Sequence, residues 1–273
     1  MVRGRHLRPA LDRPNLTVRT GATATGISLD RSRAVGVTYL RHGQQRTVRA
    51  DTEVLLCGGA VNSPLLLLLS GTGDPDELRG MGMEVRVPLQ GVGRNLQDHL
   101  MAPVVWETHD SSDIVRDLLT PDNLARWQAH GDGPFASNYG EAGAFLNVTD
   151  GPDKTRPDVQ PIGGATALIL SGEKVPDRPV FTMNAVALHP QTRGTVRLAS
   201  ADPQAPPLID PHYFDVPEDI SVLIAGLRTA MDIAHRPPFA ARMTRPYLSA
   251  TDDPDARDDA ALEEHVRRWS ATS

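Results

Sequence analysis

Apolar and polar residues alternate along the first part of the chain in the manner of β-strands. Val35, Val37 and Tyr39 stand between small or polar neighbours, and His42-Gly43-Gln44 then turns the chain. Period-two alternation beside a glycine-containing turn is typical of a hairpin, so two paired strands are predicted here. The next segment, Thr52–Cys57, ends in consecutive apolar residues and predicts a strand that is covered on both faces.

A short helix is predicted directly after this strand. Gly58-Gly59-Ala60 permits a tight turn, Ser63 is a good N-cap, and Pro64 suits the first helical position. Gly71 can end the helix in the left-handed conformation. Leu65–Leu69 are apolar all round, which predicts that the helix is buried. Strand, glycine turn and buried helix together form one βα unit of an α/β sheet.

The pattern changes from Met101 to about Asp210, where helical signals are sparse and glycine and proline are frequent. Strand-like runs occur at Val180–Leu188 and Thr195–Ala199. These features predict a second lobe that is built on a mostly antiparallel sheet.

Apolar residues at helical spacing then predict two helices. The first follows Pro217 and stops before Pro237-Pro238, and the second lies close to the C-terminal end. Their apolar positions are Ile220, Leu223, Ile224, Leu227, Met231 and Ala234 in the first, and Leu262, His265, Val266 and Trp269 in the second.

Composition narrows the class of protein. The chain has 273 residues, of which 40% are hydrophobic and 23% are charged, as in an ordinary globular protein. A net charge of -6 and an aromatic content of 4% make nucleic acid an improbable partner.

The single cysteine, Cys57, fits a reducing compartment, so we expect a cytoplasmic protein. Met1–His6 are not followed by an apolar signal segment, and Leu65–Leu69 are too short to span a membrane.

Several motifs carry a family resemblance. Gly59-Ala60-Val61-Asn62-Ser63-Pro64, five leucines and Ser70-Gly71-Thr72-Gly73 resemble a signature of the glucose–methanol–choline (GMC) oxidoreductases. Other stretches resemble the choline-dehydrogenase-like branch and follow the family's order over nearly the whole chain. They are Arg13–Val18, Gly91–His99, Ser137–Phe145, Arg193–Leu198 and Ile209–Phe214.

The resemblance implies a fold that is α/β plus α+β. A partial FAD-binding, Rossmann-like lobe is expected over residues 1–100. A substrate-binding lobe with an antiparallel sheet is expected over residues 101–215, and helices that return towards the FAD lobe over residues 216–273.

The resemblance also implies oxidation of an alcohol, with FAD as the cofactor of the full-length family member. A histidine accepts the hydroxyl proton while the hydride passes to the flavin. The family's N-terminal Gly-x-Gly-x-x-Gly turn and its C-terminal His-Pro-x-Gly-Thr stretch are both absent from these 273 residues. Gly91-Val92-Gly93 is only a partial look-alike, because Leu96 stands at the third position. We therefore expect an incomplete enzyme with little or no turnover alone.

Six residues are candidates for binding. Gly58, Gly59 and Ala60 are placed to approach the dinucleotide, although they could equally serve strand–helix packing alone. Ala24 matches a family position whose backbone meets adenine. Glu141 matches an acidic residue that faces a quaternary ammonium in choline-oxidising relatives. Tyr139 could add a cation–π contact. The alternative for Glu141 is a structural carboxylate that pairs with an arginine between the lobes.

No catalytic residue is assigned. His189-Pro190 is followed by a strand motif, His99 closes a loop, and His265 lies on the apolar side of the last helix, so structural roles are expected. A metal site has no motif to support it, and Gly-x-Ser-x-Gly is missing.

Two alternatives to an incomplete oxidoreductase stay open. The first is a non-catalytic small-molecule-binding protein that keeps the substrate lobe. The second is one part of a split enzyme whose missing groups come from a complementary flavin-binding chain. In each case the expected small-molecule partner is an alcohol.

Overall fold

The computed structural model describes residues 7–109, 120–138, 140–149, 155–166, 178–248 and 258–273. The described chain forms two compact units. The first contains the residues up to Leu96 together with Gly194–Asp210, and the second contains Gln97–Arg193 together with Pro211–Ser273. The chain first passes between the units close to the boundary expected at residue 100. Gly194–Asp210, which the three-part division assigns to the substrate lobe, group with the first unit.

The first unit contains a three-stranded antiparallel sheet in the order β1-β2-β3. These strands are β1 (Thr23–Asp30), β2 (Arg33–Arg41) and β3 (Gln44–Arg49). His42 and Gly43, which connect β2 to β3, have φ values of 52° and 73°. Two positive φ values in a two-residue connection match the twist of a hairpin, so this part of the predicted pattern is confirmed.

Helix α1 (Gly59–Leu69) is present, but it begins earlier than predicted. Gly58 is its N-cap, so the prediction that Ser63 caps the helix and Pro64 opens it is wrong. The Ser63 hydroxyl instead accepts the backbone N–H of Gly58 at 3.0 Å. Gly71 has a φ of 77° just beyond the helix, as expected for its C-terminal end.

Two further expectations for this region are also wrong. Residues 53–57 are not in a strand, because no described segment pairs with them. Of Leu65–Leu69, only Leu68 is buried, and Leu55 is 74% exposed. The leucine helix is therefore only partly buried, and it packs against β1 and its neighbours. The Ser70 hydroxyl ties its end to β1 by accepting the Ile27 N–H at 2.7 Å.

Shorter elements complete the first unit. They are β4 (Thr72–Gly73), α2 (Pro75–Gly80), β5 (Val87–Pro88), β10 (Thr195–Arg197) and β11 (Leu208–Asp210). β4 pairs with β5 in parallel, and β10 pairs with β11 antiparallel. Asp74 caps α2 by accepting the N–H groups of Asp76 and Glu77.

The second unit is built on a six-stranded antiparallel sheet, as predicted for the substrate lobe. The order is β12-β6-β9-β8-β7, with β13 beside β6. The strands are β6 (Leu100–Thr108), β7 (Ala142–Gly143), β8 (Val159–Gly164), β9 (Val180–Ala187), β12 (Met243–Leu248) and β13 (Ala271–Thr272).

Helix α4 (Pro217–Ala234) covers one face of this sheet, and α5 (Asp259–Trp269) packs beside it. A Cβ atom on Gly226 would lie 2.8 Å from the Cβ of Ala185, so α4 approaches β9 closely. Both helices match the prediction from helical spacing. Helix α3 (Pro121–His130) was not predicted. Among the described residues, no helix has the length and apolar character needed to cross a membrane.

Candidate functional site

A cleft of about 510 Å³ lies in the first unit, between the start of β1, residues 54–58 and α1. Ala24 and Gly58 both line it. Gly59 and Ala60 follow in the first turn of α1 and are exposed. The structure therefore brings two of the four residues predicted to bind the cofactor, Ala24 and Gly58, to one cleft, and the other two follow directly after Gly58 in the sequence. The volume is in the range of small-molecule sites.

Gly58 and Gly59, at the amino end of α1, are required for different reasons. A Cβ atom on Gly58 would lie 2.9 Å from the Cβ of Asn62 and 3.0 Å from the Ser63 nitrogen. Gly59 has a φ of 72°, where side chains are strained. The first N–H groups of a helix have no partner within it, and they carry partial positive charge. A ligand can therefore approach the backbone here.

The walls of the cleft suit an apolar, planar group. Val54, Leu65, Leu66 and Leu69 line it, and none of the described residues that line it carries a charge. The residues present therefore fit a flavin or adenine ring, but they offer no cationic side chain to a pyrophosphate. Cys57 is exposed and also lines the cleft.

Sequence reasoning did not identify these leucines as residues that line a cleft. The signal in the sequence was the run of five leucines. A helix that is apolar on all sides but only partly buried leaves some apolar side chains available to a ligand.

Glu141 lies in the second unit, just before β7, and its side chain is exposed. No described residue forms an ion pair or hydrogen bond with its carboxylate, so the described residues offer no arginine partner. A Cβ atom on the preceding Gly140 would lie 2.7 Å from Cγ2 of Ile162, which places this segment over β8. Tyr139 lies outside the described residues.

The structure shows the surroundings of the three histidines for which structural roles are expected. A guanidinium nitrogen of Arg156 lies 3.2 Å from Nδ1 of His189. Nε2 of His265 lies 2.7 Å from the carbonyl oxygen of Pro103, and the side chain is only 3% exposed. His99 is exposed, and its carbonyl oxygen accepts the N–H of Ser273. In the part of the chain that the structure describes, no cluster of three or more potential metal ligands occurs.

Two of the motifs that carry the resemblance meet in the second unit. The hydroxyl of Tyr213 donates a hydrogen bond to the carboxylate of Asp98. Burial, followed by the nearby Asp98 carboxylate, raises the pKa of Tyr213 to about 12. The phenol therefore stays protonated and links Asp98 to the segment Pro211–Phe214. This contact gives both motifs a structural role.

Comparison with characterised families gives a consistent assignment. Two models described as GMC oxidoreductase match the chain, an N-terminal one over residues 2–101 and a C-terminal one over residues 190–273. An uncharacterized GMC-type oxidoreductase of Mycobacterium tuberculosis is 38% identical over 236 residues, which cover 86% of this chain and 44% of that protein.

Other relatives carry functional names, and two of them show the range of these names. Oxygen-dependent choline dehydrogenase 1 of Chromohalobacter salexigens is 34% identical over 98% of this chain and 48% of its own length. Alcohol dehydrogenase [acceptor] of Pseudomonas putida is 36% identical over 88% of this chain and 44% of its own length. The chain thus spans about half the length of the curated relatives it matches.

Among solved structures, formate oxidase of Aspergillus oryzae superposes with a TM-score of 0.86 at 22% identity, over 97% of this chain and 51% of that chain. This likeness confirms the predicted fold class. The description of that structure concerns modification of the FAD of that protein. On the two matching family models, the chain belongs to the glucose–methanol–choline (GMC) oxidoreductase family.

Proposed function

We propose that this chain is part of an enzyme that oxidises an alcohol by hydride transfer to FAD. The observation that supports it most directly is the cleft in the first unit, where Ala24 and Gly58 line one space at the start of α1. The named relatives oxidise choline or another alcohol, which supports the class of reaction.

In this proposal the cleft holds a ring portion of FAD. Val54, Leu65 and Leu66 exclude water from its faces, and the backbone at Ala24 contacts adenine. Gly58, Gly59 and Ala60 allow the cofactor to approach the amino end of α1. When bound, FAD supplies the acceptor for the hydride.

The substrate side of the proposal rests on Glu141. An exposed carboxylate without a described partner is available to a cation, and the alcohol is then one with a cationic group. Tyr139, which lies outside the described residues, is proposed to face the same cation. Choline itself is one such alcohol, and the choline dehydrogenases among the relatives support this choice.

We expect this chain alone to bind FAD weakly and to turn over little. The cleft has no described charged residue for the two phosphates. A further polypeptide segment, in the same gene product or in a complementary chain, is proposed to supply the phosphate-binding turn and the base. The uncharged cleft also favours a second candidate, a binding protein that takes neutral rings and has no redox role.

The test is a titration of the purified chain with FAD, followed by flavin fluorescence and absorbance. We expect weak but saturable binding that Gly58→Ala reduces, because the added Cβ atom crowds Asn62 at the cleft. Gly80→Ala is the matched control, since its Cβ atom would meet nothing within 4 Å. Circular dichroism establishes that both variants fold.

Two outcomes would contradict the proposal. One is a folded wild-type chain that shows no FAD binding at millimolar cofactor. The other is flanking DNA that encodes neither a glycine-rich turn upstream nor a His-Pro-x-Gly-Thr stretch downstream, together with a chain that co-purifies with no flavin-bearing partner. Binding of riboflavin or alcohols without any FAD-dependent oxidation in the reconstituted protein favours the second candidate.

A further inference from the structure

Strand β9 presents different side chains to the two faces of the second unit's sheet. Met183, Ala185 and Ala187 belong to the core cluster that contains the buried residues of α4. Because side chains alternate along a strand, Thr182, Asn184 and Val186 project from the opposite face. Asn184 therefore lies on the face that α4 does not cover.

The side chain of Asn184 is completely buried, yet neither its amide oxygen nor its amide nitrogen has a hydrogen-bond partner in the described structure. Its cross-strand neighbours explain why. Pro103 lies opposite on β6 and Ile162 lies opposite on β8, and neither side chain can form a hydrogen bond. Thr182, two residues away on the same face, does have a partner, because its hydroxyl donates to the carbonyl oxygen of Thr166 at 2.6 Å.

An unpaired buried amide is costly, and an apolar residue would fill this position without that cost. Such a group needs an explanation outside the protein's own hydrogen bonds. The most direct one is a ligand group that pairs with the amide when it binds.

The segment of Glu141 lies over the same face. Gly143 of β7 is opposite Ile162, which is opposite Asn184. Gly140 lies against the Ile162 side chain. A Cβ atom added to Gly140 would lie 2.7 Å from Cγ2 of Ile162. With β8 between them, the backbones of β7 and β9 are about 10 Å apart. Groups on this face of β9 and in the segment before β7 are therefore separated by a distance that one short molecule can span.

We propose that Asn184 is a specificity-determining residue of the substrate site. Its amide forms a hydrogen bond with the hydroxyl group of a short cationic alcohol, while the Glu141 carboxylate faces the cationic end. This inference rests on the proposed function, and it adds the group that distinguishes an alcohol from a cation that has no hydroxyl.

Calorimetric titration of the full chain with three ligands tests the assignment. The ligands are choline, ethyltrimethylammonium, which lacks the hydroxyl, and 3,3-dimethylbutan-1-ol, which lacks the charge. Asn184→Leu is expected to weaken choline binding about tenfold, as for the loss of one hydrogen bond, and to leave ethyltrimethylammonium unchanged. Glu141→Gln is expected to weaken both cations and leave the neutral alcohol unchanged.

Thr182→Val is the matched control on the same strand and face. Because Thr182 has a partner and Asn184 has none, Thr182→Val is expected to lower the Tm, whereas Asn184→Leu leaves the Tm unchanged or raises it. Thr182→Val should not alter the preference for choline over ethyltrimethylammonium.

The inference is overturned if Asn184→Leu lowers the Tm as much as Thr182→Val, because the amide then has a structural partner such as a bound water. It is also overturned if Asn184→Leu weakens all three ligands equally, or if the wild-type chain binds none of them. Titration with FAD distinguishes failure of this inference from failure of the proposed function. If the three ligands bind as expected but the chain does not bind FAD, only the proposed function is contradicted.

Discussion

Glu107 of the second unit is a carboxylate that pairs with two arginines. It lies on β6, its side chain is 11% exposed, and it accepts hydrogen bonds from two nitrogens of Arg245 on β12. Arg178 donates a third. The hydrogen bond from Arg245 is the largest cause that lowers the pKa of Glu107 below its usual 4.5, and it outweighs the opposing effect of burial. The pair holds the edge strand β12 to the sheet.

Replacing this carboxylate is expected to destabilise the fold in a pH-dependent way. Glu107→Gln should cost about 1–2 kcal/mol at pH 7, the scale of hydrogen bonds to a charged group whose partners stay hydrated. Since the folded pKa lies below the unfolded one, this contribution is present above about pH 4.5 and is lost as the pH falls through the folded pKa. Thermal unfolding of both proteins between pH 3 and pH 7 measures it.

The exposed pair of Arg126 and Asp132 serves as the control for Glu107. Both side chains are 56% exposed, so Asp132→Asn should leave the Tm unchanged within error. A difference between Glu107→Gln and wild type that is as large at pH 3 as at pH 7 would contradict the ion-pair explanation.

At the scale of elements, local patterns were predictable and long-range pairing was not. The hairpin β2–β3 and helices α4 and α5 follow from alternation and helical spacing, which are properties of neighbouring residues. The strand expected at Thr52–Cys57 needed a neighbouring strand, and none pairs with it in the described structure. The start of α1 was misplaced because Ser63-Pro64 is a good capping sequence, whereas Gly58-Gly59 can also open a helix.

For the candidate sites too, some residues were predictable from the sequence, whereas one that depends on strand pairing was not. Ala24 and Gly58 were found through the resemblance, and the structure places them on one cleft. Asn184 was missed, because in the sequence it is one polar residue in a strand, and only the register shows that Pro103 and Ile162 leave it unpaired.

The loop after β5 offers a test of one local interpretation. Gly93 has a φ of 77°, and its added Cβ atom would lie 2.2 Å from the carbonyl oxygen of Val196 on β10. Gly91 has nothing within 4 Å of an added Cβ atom. Gly93 is therefore needed for packing against β10, which explains the glycine without a phosphate.

We expect Gly93→Ala to lower the free energy of unfolding by about 2 kcal/mol or more, through backbone strain and the close contact. Gly91→Ala should stay within about 0.5 kcal/mol of wild type. Urea unfolding of the two variants measures the difference. Equal stabilities would show that the loop moves freely and that β10 does not restrain Gly93.

For the whole molecule, two features matter most. The chain spans about half the length of its curated relatives. The cleft has apolar walls, and none of its described lining residues is charged. The two units of the chain each carry one of the proposed binding regions, with the cofactor cleft in the first and Glu141 in the second. Cofactor binding by this chain is therefore expected to depend on ring contacts and not on phosphate contacts.

Cys57 makes this expectation measurable, because it is the only cysteine of the chain, is exposed and lines the cleft. A ring that occupies the cleft should slow alkylation of the Cys57 thiol. Adenosine should protect about as well as ADP, because no described lining residue carries a positive charge that could form an ion pair with the phosphates. FAD should protect with little dependence on salt concentration, since screening weakens only charged contacts. Alkylation of the urea-unfolded chain, which has no cleft, is the control and should be insensitive to all three ligands. Protection by ADP that exceeds that by adenosine tenfold would show that this chain supplies a phosphate-binding group of its own, and the need for a further segment to provide one would then disappear.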